Sequence, residues 1–486
     1  MVIMSLRSAA SLSWLCHLAL GSLVLTAGGW APAAEPFRLE VVEEGSGWPV
    51  PLVEFRTTHG VRFITDNAGV AAFDLPELMG QESWLSVLGN GYGVKADGFG
   101  YEGVRVKPQP GGSQKITVAR RIIARRIGRL TGGGRFAESQ AAGAAVQEAE
   151  SGIVGCDSVQ NAVYRGRLFW AWGDTTLLGY PLGIFDMTGA TTPIQPLASL
   201  EPPLRLTFDW FRDPAGKVRG IAKMPGTGPT WVSGVAVLPD RTGRERLVGT
   251  YIKVRGYLEA YECGLCVWDD DSSQFRQERV VWTKGPDTPK QPPVPDGHPV
   301  QHRDAAGRDW MLFGNPLPNF RCPATFEGWQ DASQWQTLSP QPHVLAAGSG
   351  DKIKPHTGSI AWNAFRKRWV TVFMEAKGKP SAFGELWYAE ATEPTGPWGP
   401  AVKVLSHANY TFYNPRLHPE FTPPDSPVLF FEGTYTSEFA DRPEVTPRWN
   451  YNQILYRLDL DDPALRPAAG PSSAPAEPAP QPKPGS

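Results

Sequence analysis

Apolar and polar residues alternate with a period of two along most of the chain, in short runs punctuated by Gly, Pro, Asn and Asp. Residues 37–42 (FRLEVV) form such a run. It is followed by 49–56 (PVPLVEFR), 62–65 (RFIT), 70–73 (VAAF), 84–87 (WLSV) and 103–107 (GVRVK). The pattern predicts a small sandwich of short strands over residues 36–121. Beyond Gly155 the runs pair up. Residues 156–164 pair with 168–175, 231–238 with 246–251, 298–302 with 309–315, 356–362 with 368–375, and 413–418 with 428–435. Several pairs lead into another hairpin, as in 262–268 with 275–281 and 384–390 with 402–405. Four strands per unit, repeating every ~50–70 residues, is the pattern of a β-propeller, and five units make five blades.

The fold class expected is therefore all-β: a small N-terminal β-sandwich followed by a five-bladed β-propeller. Five segments are expected. Residues 1–34 are a signal peptide, 36–121 the sandwich, 122–150 a basic linker and lead-in, 151–462 the propeller, and 463–486 a disordered Pro/Ala-rich tail. Arg120, Arg121, Arg125, Arg126 and Arg129 form a basic connector between sandwich and propeller. Their expected role is pairing with the domains on either side rather than binding a polyanion.

Propeller geometry brings the start of each first strand beside the end of its second, all on one face. Asp157 is expected beside Asp174, Ser233 beside Tyr251, His298 beside Asn315, His356 beside Glu375, and Asn414 beside Glu432. Glu262 and Glu385 are expected on the same rim, further out. Glu375 and Glu432 close apolar strands, after Phe-Met and Phe-Phe. That is how acids enter a concave, partly dry site where their pKa values are perturbed.

Composition narrows the chemistry. Eighteen Trp, 52 Gly and 47 Pro suit a β-rich globular chain, and a formal charge of -2 gives no pull toward nucleic acid. Arg7, the apolar stretch 12–27 and the small residues 31–34 (APAA) read as an export signal. The location expected is secreted or periplasmic, with no membrane attachment once the signal is cut. Cys16 lies in that segment, which leaves Cys156, Cys263, Cys266 and Cys322. Cys263 and Cys266 have the spacing of half a zinc site but no second pair, so they read as buried free thiols. No phosphate loop, nucleophile elbow or dinucleotide fingerprint stands out. No cofactor and no metal is expected.

Two resemblances add to this reading. The run from Pro49 to Leu75, with its Thr65-Asp66 and Gly69 turn and the later Gly91-Tyr92, resembles the carboxypeptidase-regulatory-like, transthyretin-like sandwich. Such modules imply a fold and no chemistry. An exported five-bladed propeller with Asp157 at its first innermost strand resembles the glycoside hydrolase superfamily of families 32, 43, 62 and 68. That resemblance implies a carbohydrate substrate and gives Asp157 the part of base or nucleophile. The Asp-Pro motif of those families is absent, since Ser158 follows Asp157.

Glycoside cleavage needs one ionised and one protonated carboxyl group flanking the bond. Asp157 is the candidate for the ionised member. Glu375 and Glu432 compete for the acid, with Glu262 behind them, and Asp174 tunes or orients Asp157 or else caps a turn. Trp172, Trp231, Tyr251, Tyr413 and Tyr435 are candidate stacking surfaces for sugar rings. His298, Asn315, His356, Asn414 and Arg416 are candidate polar ligands, with core satisfaction as the alternative for the histidines. Two rivals stay open. One is a propeller that binds glycans or proteins without cleaving them. The other is a polysaccharide lyase built on His356, Tyr251 and Arg416.

Overall fold

The computed structural model describes residues 35–469 except 133, 135, 144–150 and 442. The signal segment and the tail from residue 470 lie outside the described residues.

Residues 37–120 form two four-stranded sheets. One has the order Val70–Phe73, Phe37–Glu43, Ser113–Arg120, Tyr92–Gly93. The other runs Arg62–Ile64, Glu54–Thr57, Ser83–Leu88, Gly103–Val106. Alternation along Phe37–Glu43 buries Phe37, Leu39 and Val41, which meet Phe55, Leu85 and Val87 of the other sheet in one core. The turn before Val70 is held by Asp66, whose carboxylate accepts the N–H groups of Ala68 and Val70 at 2.9 and 3.0 Å. Gly69 closes it at φ 72°, where a Cβ would stand 2.6 Å from the Val41 carbonyl oxygen.

Among the described residues beyond the sandwich, five four-stranded antiparallel sheets each run outward from an innermost strand, with two smaller sheets beside them. Blade one is Gln160–Tyr164, Arg167–Trp172, Thr188–Pro193 and Asp209–Trp210. Blade two is Thr230–Pro239, Glu245–Arg255, Glu259–Asp269 and Gln274–Thr283. Blade three is Val300–Arg303, Asp309–Gly314, Pro318–Pro323 and Gln336–Thr337. Blade four is Pro355–Asn363, Arg368–Glu375, Glu385–Ala391 and Val402–Ser406. Blade five takes Thr411–Leu417, Val428–Thr436 and Asn452–Asp459 from the C-terminal end of the chain, then Arg125–Arg129 from far upstream.

A circuit of hydrogen bonds closes the ring at its centre. Val235 N–H donates to Gln160 Oε1 (3.4 Å), joining blades two and one. Gly234 N–H donates to the Gly297 carbonyl (2.9 Å), joining two and three. Gly358 N–H reaches Asn315 Oδ1 (2.7 Å), joining four and three. Leu417 N–H reaches Ser359 Oγ (2.7 Å), joining five and four, and Arg416 Nε reaches Asn161 Oδ1 (2.8 Å), joining five and one. Every blade is tied to both neighbours. The molecule is an all-β sandwich plus a five-bladed propeller, as the strand pattern predicted.

Three expectations change. The segment 122–150 is not only a linker, because Arg125–Arg129 is the outermost strand of blade five and Ile127 is fully buried there. The tail 463–486 begins with a 3-10 helix, Pro463–Ala469, whose Leu465 and Ala468 pack into the core of blades four and five. Residues 156–164 do not make one strand. Ile153–Cys156 leaves the blade and pairs with Thr175–Leu177, which pairs with Tyr180–Ile184 in a small separate sheet. The break falls at Ser158, whose φ of 48° is left-handed. The four cysteines 156, 263, 266 and 322 are buried and free. Cys263 and Cys266 face different cores, as strand alternation requires.

Candidate active site

Asp157 and Asp174 meet where the small sheet joins blade one. Asp157 N–H donates to the Asp174 carbonyl at 3.3 Å, and Gly173 N–H returns to the Asp157 carbonyl at 2.8 Å. Residue 173 has no room for a side chain, since a Cβ there would stand 2.1 Å from Asp157 Oδ1. Asp157 is half-buried, and its Oδ2 accepts hydrogen bonds from Tyr451 Oη (2.8 Å) and Tyr413 Oη. Burial pushes its pKa up to about 7, outweighing the two phenol donors, with the Asp174 charge adding to the rise. Burial also raises Asp174, while its hydrogen bond from Trp231 Nε1 (2.9 Å) opposes the shift. A carboxyl group with a pKa near 7 exchanges protons readily at neutral pH.

Around this pair lie side chains from blades four and five. Asn414 sits at φ 53° and bridges three blades: its N–H donates to Thr357 Oγ1 (3.1 Å) and its Nδ2 to Ser158 Oγ (2.5 Å). A row of rings leads away from Asp157. Tyr413 meets Phe439 edge-on at 5.8 Å, Phe439 meets Phe383 at 6.2 Å, and Phe383 meets the exposed His356 at 4.9 Å. Phe439 is 59% exposed. On the other side, the hairpin that starts one residue after Asp174 carries Leu178 and Tyr180, both about two-thirds exposed at 65% and 66%. Asn315 is also exposed, although its Oδ1 is used in the tie to Gly358.

The remaining candidates divide by depth. Glu375 is half-buried at the end of its strand and accepts from Trp387 Nε1 at 2.9 Å. Glu262 is half-buried and accepts from Tyr251 Oη at 2.8 Å. Glu432 has no accessible surface. Its partner is His418 Nε2 at 2.9 Å, and His418 Nδ1 faces Glu420 at 2.9 Å. Burial raises Glu432, against the opposing pull of His418 and Arg416. For His418, burial is overcome by the two glutamates, so its pKa ends above the usual imidazole value. Arg416 completes this sealed cluster through Asn161, and burial holds it below its usual value. His298 is buried beside the cluster and held neutral by burial and by those cations.

The structure therefore corrects several expectations. Glu432 stands opposite Arg416, not Asn414, because a bulge between Tyr413 and Arg416 shifts the register. Glu432, Arg416 and His298 lie inside the propeller, where no sugar reaches them. Trp172 is not on the rim either: it is fully buried and stacks on Trp170 at 5.6 Å. Tyr251 is fully buried, and Tyr435 is buried against Tyr410 at 3.9 Å. With Tyr251 and Arg416 sealed, the residues that a lyase would use are not assembled at any surface. Glu385 is buried too, bound by Ser406 (2.6 Å) and Lys403 (2.5 Å). The sequence reading missed Tyr451, Phe383 and Phe439. Tyr451 had one signal, an aromatic pair (Trp449, Tyr451) just ahead of a strand; the two phenylalanines sit in loops with no periodicity to mark them.

No protein-family model matches the chain, and no curated protein does. Solved structures do. An exo-β-1,3-galactanase from Phanerochaete chrysosporium, solved with galactose, matches at 10% identity and a TM-score of 0.36, over 62% of this chain and 60% of that one. The chain thus spans about three fifths of that galactanase. An exo-1,5-α-L-arabinanase from a bovine ruminal metagenomic library matches at 11% identity and a TM-score of 0.36, over 64% of this chain and 95% of that one. A GH43_1 enzyme from Xanthomonas citri matches at 10% identity and a TM-score of 0.36, over 63% and 88%. The five-bladed propeller itself is established by the chain's own five four-stranded sheets.

Proposed function

We propose that this protein is an exported glycoside hydrolase that cleaves a poly- or oligosaccharide at the face where Asp157 and Asp174 meet. The observation that carries the reading is Asp157 itself. It is a half-buried carboxyl group with a pKa raised to about 7, gripped by two tyrosines and set beside a second carboxyl group. Asp157 acts in its ionised form, on water or on the sugar. The acid in this reading is Asp174 or Glu375, both half-buried. The row Tyr413–Phe439–Phe383 supports an extended glycan, because flat rings cover sugar faces.

The experiment is reducing-end release by the purified protein on a panel of plant, algal and bacterial polysaccharides. Asp157→Asn should lose about a hundredfold or more in rate. Asp174→Asn and Glu375→Gln separate the two acids, since only the true one loses rate against substrates with poor leaving groups. The wild-type kcat/KM should rise with pH through about 7 as Asp157 ionises. A profile that falls through pH 7 would assign Asp157 the protonated part instead. One observation favours the rival of binding without cleavage: Glu432, a leading candidate for the acid, is sealed in an ion pair. Binding with no release from any substrate would decide for it. Export is tested by the N-terminus of the protein recovered outside the cytoplasm, expected close after Ala34.

A further inference from the structure

The segment that carries Asp157 is clipped in place by blade five. Three consecutive residues where the strand Asn452–Asp459 begins all reach it. Tyr451 Oη donates to Asp157 Oδ2 at 2.8 Å, Asn452 Nδ2 to the Val154 carbonyl at 2.8 Å, and Gln453 Nε2 to the Cys156 carbonyl at 3.1 Å. Two neighbouring strands of the same blade add to the grip. Ser158 N–H donates to Thr434 Oγ1 at 3.1 Å, and Tyr413 Oη donates to Asp157 Oδ2. Asn452 and Gln453 have no accessible surface, and Tyr451 is buried. Tyr451 holds left-handed backbone at φ 60°, a strained conformation for a bulky residue that persists only where its surroundings fix it.

The two oxygens of the Asp157 carboxyl group are treated unequally. Oδ2 accepts both phenols, whereas Oδ1 accepts no hydrogen bond from the described residues. Asp157 is half-buried, and with Oδ2 under two rings, Oδ1 is the oxygen left toward solvent. Burial and the Asp157 charge push both phenols well above the usual tyrosine value, so they stay protonated and remain donors. The other titratable groups that face Asp157 are Asp174 and Cys156, and burial keeps the Cys156 thiol neutral.

We infer, resting on the catalytic part proposed for Asp157, that Tyr451 and Tyr413 are positioning residues that anchor its Oδ2 and turn Oδ1 outward as the reactive oxygen. Asn452 and Gln453 fix the backbone beneath. The site is therefore complete only where blade five meets blade one.

The test is a carbon-13 NMR titration of the Asp side-chain carboxyl groups in the full chain, with the Asp157 signal identified by its loss in Asp157→Asn. Tyr451→Phe and Tyr413→Phe each remove one phenol and keep the ring. A donor to the carboxylate favours its charged form, so each change should move the Asp157 midpoint upward by about one pH unit at matched melting temperatures. Fluorotyrosine at position 451 keeps the shape and makes the phenol a stronger donor, so it should move the midpoint down. The low-pH limb of kcat/KM should follow the midpoint in every variant. An unmoved midpoint in all three proteins overturns the inference. So does a rate that falls equally at every pH with the limb in place, which is the mark of a merely structural role. The titration needs no substrate: a moved midpoint in a protein that releases no sugar upholds the anchor and sinks the proposed catalysis.

Discussion

Asp157 shows how a functional carboxyl group is held at a cost to stability. Its pKa in the folded protein, about 7, lies above the ordinary value of 3.8. Below pH 3.8 both folded and unfolded chains hold the proton, and the group is neutral in its effect. Between there and pH 7 the unfolded chain ionises first, so folding loses stability as pH rises, on the order of a few kcal/mol in all. Asp157→Asn should therefore melt higher than wild type at pH 8, with the difference shrinking toward pH 4. Equal melting temperatures at both pH values would show that burial does not strain this group. Glu432→Gln should do the opposite, because it breaks the sealed pair with His418 and leaves buried charge uncompensated, at about 3 kcal/mol. Its activity loss should follow its fraction unfolded, read by circular dichroism beside the rate. Asp157 was legible in the sequence because the pairing of residues 156–164 with 168–175 alone sets it beside Asp174. The burial of Glu432 was not, since both a rim acid and a core acid follow apolar residues.

At the scale of elements, the strand Arg125–Arg129 carries the main surprise. Read along the chain it is a run of arginines, yet every residue from Arg126 to Arg129 is buried. Arg126 is buried and donates to the carbonyls of Pro51 (3.0 Å), Asn90 (3.2 Å) and Leu52 (3.2 Å), with its guanidinium over the Tyr92 ring at 5.0 Å. Arg125 pairs with Glu43 at 3.1 Å. The strand is thus the edge of blade five and the seat of the sandwich at once. Arg126→Ala removes a cation and leaves three carbonyls without their donor, so it should cost about 3 kcal/mol, measured by urea unfolding. A change below 0.5 kcal/mol would mean water replaces the guanidinium freely. The strand's basic composition hid it, because charged side chains in a row look like a solvated linker unless a partner sheet is known to wait for them.

For the whole molecule, that strand makes the two domains one folding unit. A chain beginning at residue 131 lacks the fourth strand of blade five and should be insoluble or melt far below the full protein. A chain beginning at residue 122 regains the strand but exposes Arg126 and its neighbours, and should fold with a lowered melting temperature. Two independent transitions in calorimetry of the full protein would argue against this coupling. The five-blade count was legible from end to end, because hairpins repeat and each must cover its apolar faces with the next. Ring closure was legible only in part, as blade five borrows its edge strand from the segment between the sandwich and blade one.

The alternation of apolar and polar residues by itself determined the all-β class, the sandwich, the five hairpins and the face on which Asp157 and Asp174 meet. Period-two patterning and turn residues are local, and strand pairing within a hairpin follows from them. Only the tertiary structure decided which carboxylates are reachable, which aromatics are rim and which are core, and where the last strand comes from. Burial and ion pairing depend on neighbours distant in sequence: His418 meets Asn161, Tyr451 meets Asp157, and Arg126 meets Leu52. A single strand's pattern reports that a side chain faces inward, and the packing of five sheets around one axis determines whether inward means a dry core or an open site.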